Sequence, residues 1–171
     1  NFGFAGKDFV ELVKRMGVDS IKDIQKEILE ELQDDEKMQK QGKKLCYHNH
    51  AFEFEVNDGK RTFERLIEET TMDFIPDTYW MQVGGVNPAE YIKKLKGRVE
   101  VCHFKDMRIV NNEQRFAECG TGNLDLGACY RACKEIGVKY IVIEQDICEI
   151  DPRESMAISY KNLVDIAERN E

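Results

Sequence analysis

The chain has 171 residues, 42% of them hydrophobic and 34% charged, with a formal net charge of −8. Such a length and balance describe a folded soluble domain and exclude a disordered segment. No apolar run reaches the roughly 18 residues that span a bilayer, and without a basic patch the acidic balance excludes sequence-blind nucleic-acid binding.

Residues 1–7 are rich in glycine and aromatic side chains and read as a loop. Asp8 caps a helix running to about residue 15, which Gly17 ends. Ile21, Ile24, Ile28, Leu32 and Met38 recur at helical spacing amid charge, predicting a long amphipathic helix over 20–41 with Ser20 as N-cap and Gly42 as its stop. The lysines of 37–44 and of 93–98 are interleaved with apolar or acidic residues, as on solvated helix faces.

A strand over 45–47 then ends in His48-Asn49-His50, and after the turn at Asn57-Asp58-Gly59 a helix is expected over 62–69. A strand over 72–75 ends at Asp77. Asn87-Pro88 opens a helix over 88–95, with proline in its first turn. A strand over 99–102 ends at His103, and a long loop passes through Gly120-Thr121-Gly122. A helix over 126–136, a strand over 140–143 ending at Glu144, and a helix over 156–168 close the chain. Short, nearly all-apolar strands alternating with helices predict an α/β fold with a parallel sheet covered by helices. No linker divides the chain, so 1–171 reads as one domain.

The six cysteines contain no CxxC pair, and nothing resembles a cleaved secretion signal. Together these predict reduced thiols in a cytoplasmic protein. The chain lacks an initiator methionine, which points to a processed, truncated or partial chain.

Each of the four strands ends in ligating or titratable side chains. In order these are His48, His50 and Glu53; Asp77; His103, Lys105 and Asp106; and Glu144 and Asp146. The carboxyl ends of parallel strands share one rim, where binding and catalysis occur. A lone acid after a strand is usually a helix cap, but four successive strands ending this way suggest a shared centre. Two Glu, one Asp and one His would make an oxygen-rich site suited to Mn²⁺, Mg²⁺ or Co²⁺ and tolerable for Zn²⁺. Gly120-x-Gly122 lacks the third glycine of a dinucleotide fingerprint and reads as a tight turn approaching substrate.

Five stretches occur in order: 47–54 (Tyr47-His48-Asn49-His50-Ala51-Phe52-Glu53-Phe54), 77–80 (Asp77-Thr78-Tyr79-Trp80), 97–106 ending in His103-Phe104-Lys105-Asp106, Gly120-Thr121-Gly122, and Glu144-Gln145-Asp146. Together, over residues 42–165, the chain resembles the sugar phosphate isomerase/epimerase family of xylose-isomerase-like TIM (β/α)8 barrels. The resemblance implies that the chain is the C-terminal half of such a barrel. It implies a divalent-metal centre of Glu53, Asp77, His103 and Glu144, although Glu55 would point to the same side of an extended segment as Glu53. It places His48 and His50 beside the metal or on substrate oxygens, Trp80 on a sugar ring or under the rim, Lys105 and Arg108 on a substrate oxygen or phosphate, and Asp106 behind Lys105 or His103.

The implied activity is isomerisation or epimerisation of a sugar or sugar phosphate, by proton transfer through a metal-stabilised enediolate with Glu53 and Glu144 as bases. A keto-sugar lyase or dehydratase on the same site is an alternative. So is a noncatalytic metal-binding half-barrel acting by assembly with itself or with a partner that completes the barrel. A zinc endonuclease of the same superfamily is disfavoured by three histidines and an acidic surface. The expected partners are thus a small sugar and a second barrel half or copy, with neither nucleic acid nor membrane.

Overall fold

Four short runs, β1 (Cys46–His48), β4 (Asp73–Ile75), β5 (Val101–Phe104) and β8 (Tyr140–Ile143), are each separated by helical segments, and that separation dictates parallel pairing. The computed structural model describes residues 42, 44, 46–57, 59–70 and 72–170, so the helices expected over 8–15 and 20–41 lie outside the described residues. The chain divides into two compact units, Asn1–Leu45 with Val56–Thr71, and Cys46–Glu55 with Met72–Glu171.

In the first unit, β2 (Val56–Asn57) and β3 (Lys60–Arg61) pair antiparallel around a turn in which Gly59 has φ 79°. Helix α1 (Thr62–Glu69) follows with Phe63 and Leu66 buried, and the Thr70 hydroxyl donates to the Leu66 carbonyl at its end.

In the second unit β1 pairs with β4 and β5 with β8, both parallel. Parallel bridges at Phe74–Val99 and Asp77–His103 join β4 to β5, so the four strands run side by side in the order β1-β4-β5-β8. Between them lie α2 (Thr78–Val83), α3 (Pro88–Lys94) and α4 (Leu126–Ile136), with α5 (Pro152–Arg169) after β8. Each of these helices starts on a side-chain cap, from Asp77, Asn87, Asp125 and Asp151 respectively. Gly137, at φ 82°, ends α4 in the left-handed conformation. Cys102 and Phe104 of β5 are fully buried, whereas Val101 and His103, one step out of phase, are partly exposed. That alternation is the strand period of two, and it turns His103 to the face opposite the core.

Two features depart from the expected order. The segment read as a loop before Gly120 contains a hairpin, β6 (Asp106–Val110) with β7 (Glu113–Ala117). Its tip, Asn111-Asn112, has φ 52° and 64°, as a two-residue type I′ turn requires, and asparagine is among the few residues that adopt it. Helix α5 also begins at Pro152, four residues before the expected start, because its inward contacts are polar. Ser155 and Ser159 are its buried residues; Ser159 Oγ accepts from the Cys119 amide at 3.0 Å. Apolar periodicity cannot register such a face. No helix among the described residues is long and apolar enough to cross a membrane.

Candidate metal centre

The rim is laced by residues just beyond the strand ends. Asn49 Oδ1, fully buried, accepts the Asp77 amide at 3.0 Å and so ties the end of β1 to that of β4. Thr78 Oγ1 donates to the Lys105 carbonyl at 2.8 Å and accepts the Lys105 amide at 2.9 Å, tying β4 to β5. These bonds fix the side chains that project from the same four ends.

His48, Asp77, His103 and Glu144, one from each strand end, each present a ligating atom within 4.8 Å of all the others. His103 Nδ1 lies 2.8 Å from Glu144 Oε2, and His48 Nε2 lies 3.4 Å from Asp77 Oδ2 and 4.0 Å from Glu144 Oε2. All four atoms are buried, yet none has a hydrogen-bond partner in proper alignment. Buried polar atoms left in that condition are costly, and the four face one another as a group that could hold a metal ion. Asp77 is also a cap: its Oδ1 accepts the Trp80 amide at 3.0 Å, leaving Oδ2 for the cluster.

Lys105, 1% exposed, reaches the same place. Its Nζ is 2.8 Å from Asp146 Oδ2, 3.1 Å from Glu144 Oε2 and 3.3 Å from Asp77 Oδ2. Burial alone would lower the pKa of this ammonium, but Asp77, Asp146 and Glu144 outweigh it and raise it. Glu144 is held at about 2, first by the neighbouring His103 against the effect of burial, and then by Lys105. Three carboxylates thus surround one ammonium, two positive charges short of balance. A divalent ion supplies that deficit, so the donor set fits one.

The other expected residues fall as follows. Glu53 stands outside the four-residue group. A 3₁₀ turn at Phe52–Phe54 carries it inward to full burial, where Oε1 accepts the Tyr47 hydroxyl at 2.7 Å and both oxygens accept the His50 amide at 3.0 and 2.9 Å. Burial pushes its pKa up despite these donors. His50 packs against Trp80, ring centroids 5.2 Å apart, and burial with the nearby His48 lowers its pKa. Arg108 is engaged by Glu149 at 2.6 Å. The buried Asp106 carboxylate accepts four amides, of Met107 (2.7 Å), Gly120 (2.9 Å), Gly122 (3.0 Å) and Leu124 (3.2 Å). A side chain at Gly122 would place its Cβ 2.3 Å from the Met107 carbonyl oxygen and 2.4 Å from Asp106 Oδ1, so the loop closes only with glycine there.

No family model matches the sequence, nor does any curated protein. Solved structures do match. A sugar phosphate isomerase/epimerase from Parabacteroides distasonis aligns at 20% identity over 75% of this chain and 46% of its own, with a TM-score of 0.58. A xylose isomerase domain protein from Planctomyces limnophilus aligns at 18% identity over the same shares, with a TM-score of 0.56. The fold is that of the xylose-isomerase-like barrels. This chain spans less than half the length of either structure, and its four parallel strands with their helices account for about half of such a TIM barrel.

Two participants had weak signals in the sequence. Asp146 stands beside Glu144 and was visible only as part of a strand-end pair, while its partner Lys105 lies 41 positions away. Phe116 reaches Tyr79 (stacked, 4.3 Å) and Trp80 (6.1 Å) by way of the unforeseen hairpin. Nothing in the local sequence signals that contact.

Proposed function

We propose that this chain carries the divalent-metal centre of a sugar isomerase or epimerase, with His48, Asp77, His103 and Glu144 as ligands. The reading rests on one observation: four buried atoms without aligned partners converge from four adjacent strand ends. The barrel fold agrees with it. Replacing Glu53 by His48 makes the donor set two imidazoles and two carboxylates, which moves the preference toward Zn²⁺, Mn²⁺ or Co²⁺ and away from Mg²⁺.

A divalent ion here supplies Lewis-acid polarisation of a substrate carbonyl. The protein's own groups do the rest. Glu144, ionised well below neutral pH, acts as a ligand and is a poor base. In this reading the half-exposed Asp146, paired with Lys105 at 2.8 Å, takes the proton from the carbon next to the carbonyl. Lys105, kept protonated, donates in this reading to a substrate oxygen. Buried thiols at Cys102, Cys119, Cys129 and Cys133 fit a reducing compartment, the cytoplasm in this proposal.

The test is metal content of the purified protein, with thermal melts in Mn²⁺ or Zn²⁺ and in chelator. At a hundredfold excess over its dissociation constant, a ligand bound only by the folded state stabilises it by about 2.7 kcal/mol. Stoichiometric metal with a melting shift lost in Glu144→Gln is expected; no shift in the wild type sinks the proposal.

A second reading, a metal-binding half-barrel that works by assembly, is favoured by β8. Tyr140 and Val142 are 63% and 41% exposed and pair in register with Val101 and His103, so this apolar face continues the face of the metal site. Turnover of a ketose by the isolated chain would argue against that reading.

A further inference from the structure

We infer that Gln145, backed by Glu118 and Ser155, is a positioning residue that sets where Glu144 and Asp146 reach into the centre. The inference rests on the metal-site reading and adds to it three residues that stand behind the candidate ligands.

Just beyond β8, successive side chains go to opposite sides of the chain. Glu144 Oε2 and Asp146 Oδ2 both meet Lys105 Nζ, at 3.1 and 2.8 Å, whereas Gln145 between them meets Glu118 and Ser155. The residue that separates two acids of the site is thus anchored away from it. Gln145 Nε2 donates to Glu118 Oε1 at 3.4 Å and to the Ile147 carbonyl at 3.1 Å. The second bond braces the bend in which Asp146 faces Lys105.

Ser155 Oγ lies 3.0 Å from Glu118 Oε1 and 3.2 Å from Gln145 Oε1. The hydroxyl has one proton, and the carboxylate is the stronger acceptor. Glu118 Oε1 therefore accepts from both Ser155 and Gln145. Glu118 is 8% exposed and Ser155 is fully buried, so removing one member leaves a buried polar group short of a partner. Helix α5 holds the base of this arrangement. Ser159 Oγ accepts the Cys119 amide at 3.0 Å, and Asn162 Nδ2 donates to the Cys119 carbonyl at 2.9 Å. Ser155, Ser159 and Asn162 lie on one helix face, at spacings of four and three.

Other members of the centre are braced differently. Asp77 accepts the Trp80 amide and donates its own amide to Asn49, while Thr78 ties the Lys105 backbone. His103 lies in β5, between β4 and β8. Glu144 follows β8, whose strand partner among the described residues is β5 alone, and its side chain is 39% exposed. Freeing Gln145 would loosen the 144–146 segment, and a ligand that must be ordered on binding holds its metal more weakly.

The full chain is titrated with Co²⁺ in competition with a chelating dye, because the visible absorption of Co²⁺ reports its coordination geometry. Melts in chelator monitor the fold. Gln145→Ala should raise the Co²⁺ dissociation constant about tenfold and alter the spectrum, while its melt in chelator stays near that of the wild type. Ser155→Ala removes one buried hydroxyl and should shift affinity and spectrum in the same direction, and it carries the test alone if Gln145→Ala does not fold. An affinity within about threefold of the wild type, with an unchanged spectrum, in both variants overturns the inference. So does an affinity that falls only in step with the melt in chelator, which assigns the network to the fold alone. A wild type that takes up no Co²⁺ overturns the metal-site reading itself, and the inference with it.

Discussion

His48 and Glu53 leave one short segment for opposite environments. His48 ends β1 with Nε2 facing Asp77 and Glu144, whereas Glu53 turns inward onto Tyr47 and the His50 amide. Two substitutions separate their roles. His48→Ala should abolish the metal-induced melting shift with little change in the melt in chelator. Glu53→Gln should retain the shift while costing about 1–3 kcal/mol, the usual penalty for disturbing a buried acceptor with its donors in place. Denaturant melts with and without metal measure both; a shift kept in His48→Ala and lost in Glu53→Gln would return Glu53 to the metal. In sequence the two residues are equally legible, since both follow a strand and both are ligand types. What separates them is the 3₁₀ turn at Phe52–Phe54, which reverses Glu53 after an Ala-Phe step that carries no strong turn signal. Asp77, by contrast, was readable both as cap and as ligand: its Oδ1 accepts the Trp80 amide, while Oδ2 faces the other three candidate ligands.

Between elements, the decisive contacts are buried polar ties. Asp106 organises the Gly120–Gly122 turn by accepting four amides. Asp106→Ala leaves those donors without their acceptor and should cost about 3–5 kcal/mol, at the upper end for a single substitution. Chemical denaturation would show it, and a loss below 1 kcal/mol would mean that water replaces the carboxylate easily. Farther along, Glu118 joins the turn to α5 and to the strand-end segment through Ser155 (3.0 Å) and Gln145 (3.4 Å). Burial raises its pKa, but its own amide, Ser155 and Gln145 together lower it below the ordinary value. A folded pKa below the unfolded one gives stability that is present above the unfolded value and is lost as pH falls through the folded value. The acid limb of stability below about pH 4.5 should therefore be shallower in Glu118→Gln than in the wild type, read as midpoint against pH. An unchanged limb would assign that slope to other carboxylates. These ties explain why element types were more legible than element edges. Helix α4 follows from its apolar spacing between Asp125 and Gly137, while α5 docks through serines and the hairpin turns on two asparagines instead of Asn-Gly.

At the scale of the whole molecule, four parallel strands carry the group of His48, Asp77, His103 and Glu144 at one rim, and the β8 part of the adjoining face is exposed. Parallel pairing puts partners in register on the same side, so Tyr140 and Val142 share a face with Val101 and His103. In a complete barrel that face is the packed interior; here Tyr140 is 63% exposed. The alternation of strand and helix made the parallel α/β sheet readable, because periodicity is local, whereas the half-barrel came from the family resemblance. What covers the inner face is a nonlocal property, which no period in the sequence encodes. Exposed apolar surface beside a strand edge drives association, so the chain should self-associate at micromolar concentration or join a polypeptide that supplies the other strands. Tyr140→Asp places a charge on that face two strand positions from Val142, at the end of β8 opposite Glu144. Sedimentation velocity should then show a wild-type oligomer that dissociates in Tyr140→Asp, while the metal-induced melting shift is retained. A wild type that stays monomeric at high concentration would show that the face is tolerated bare or covered from within. The assembly reading would then give way to a centre that operates in a single chain.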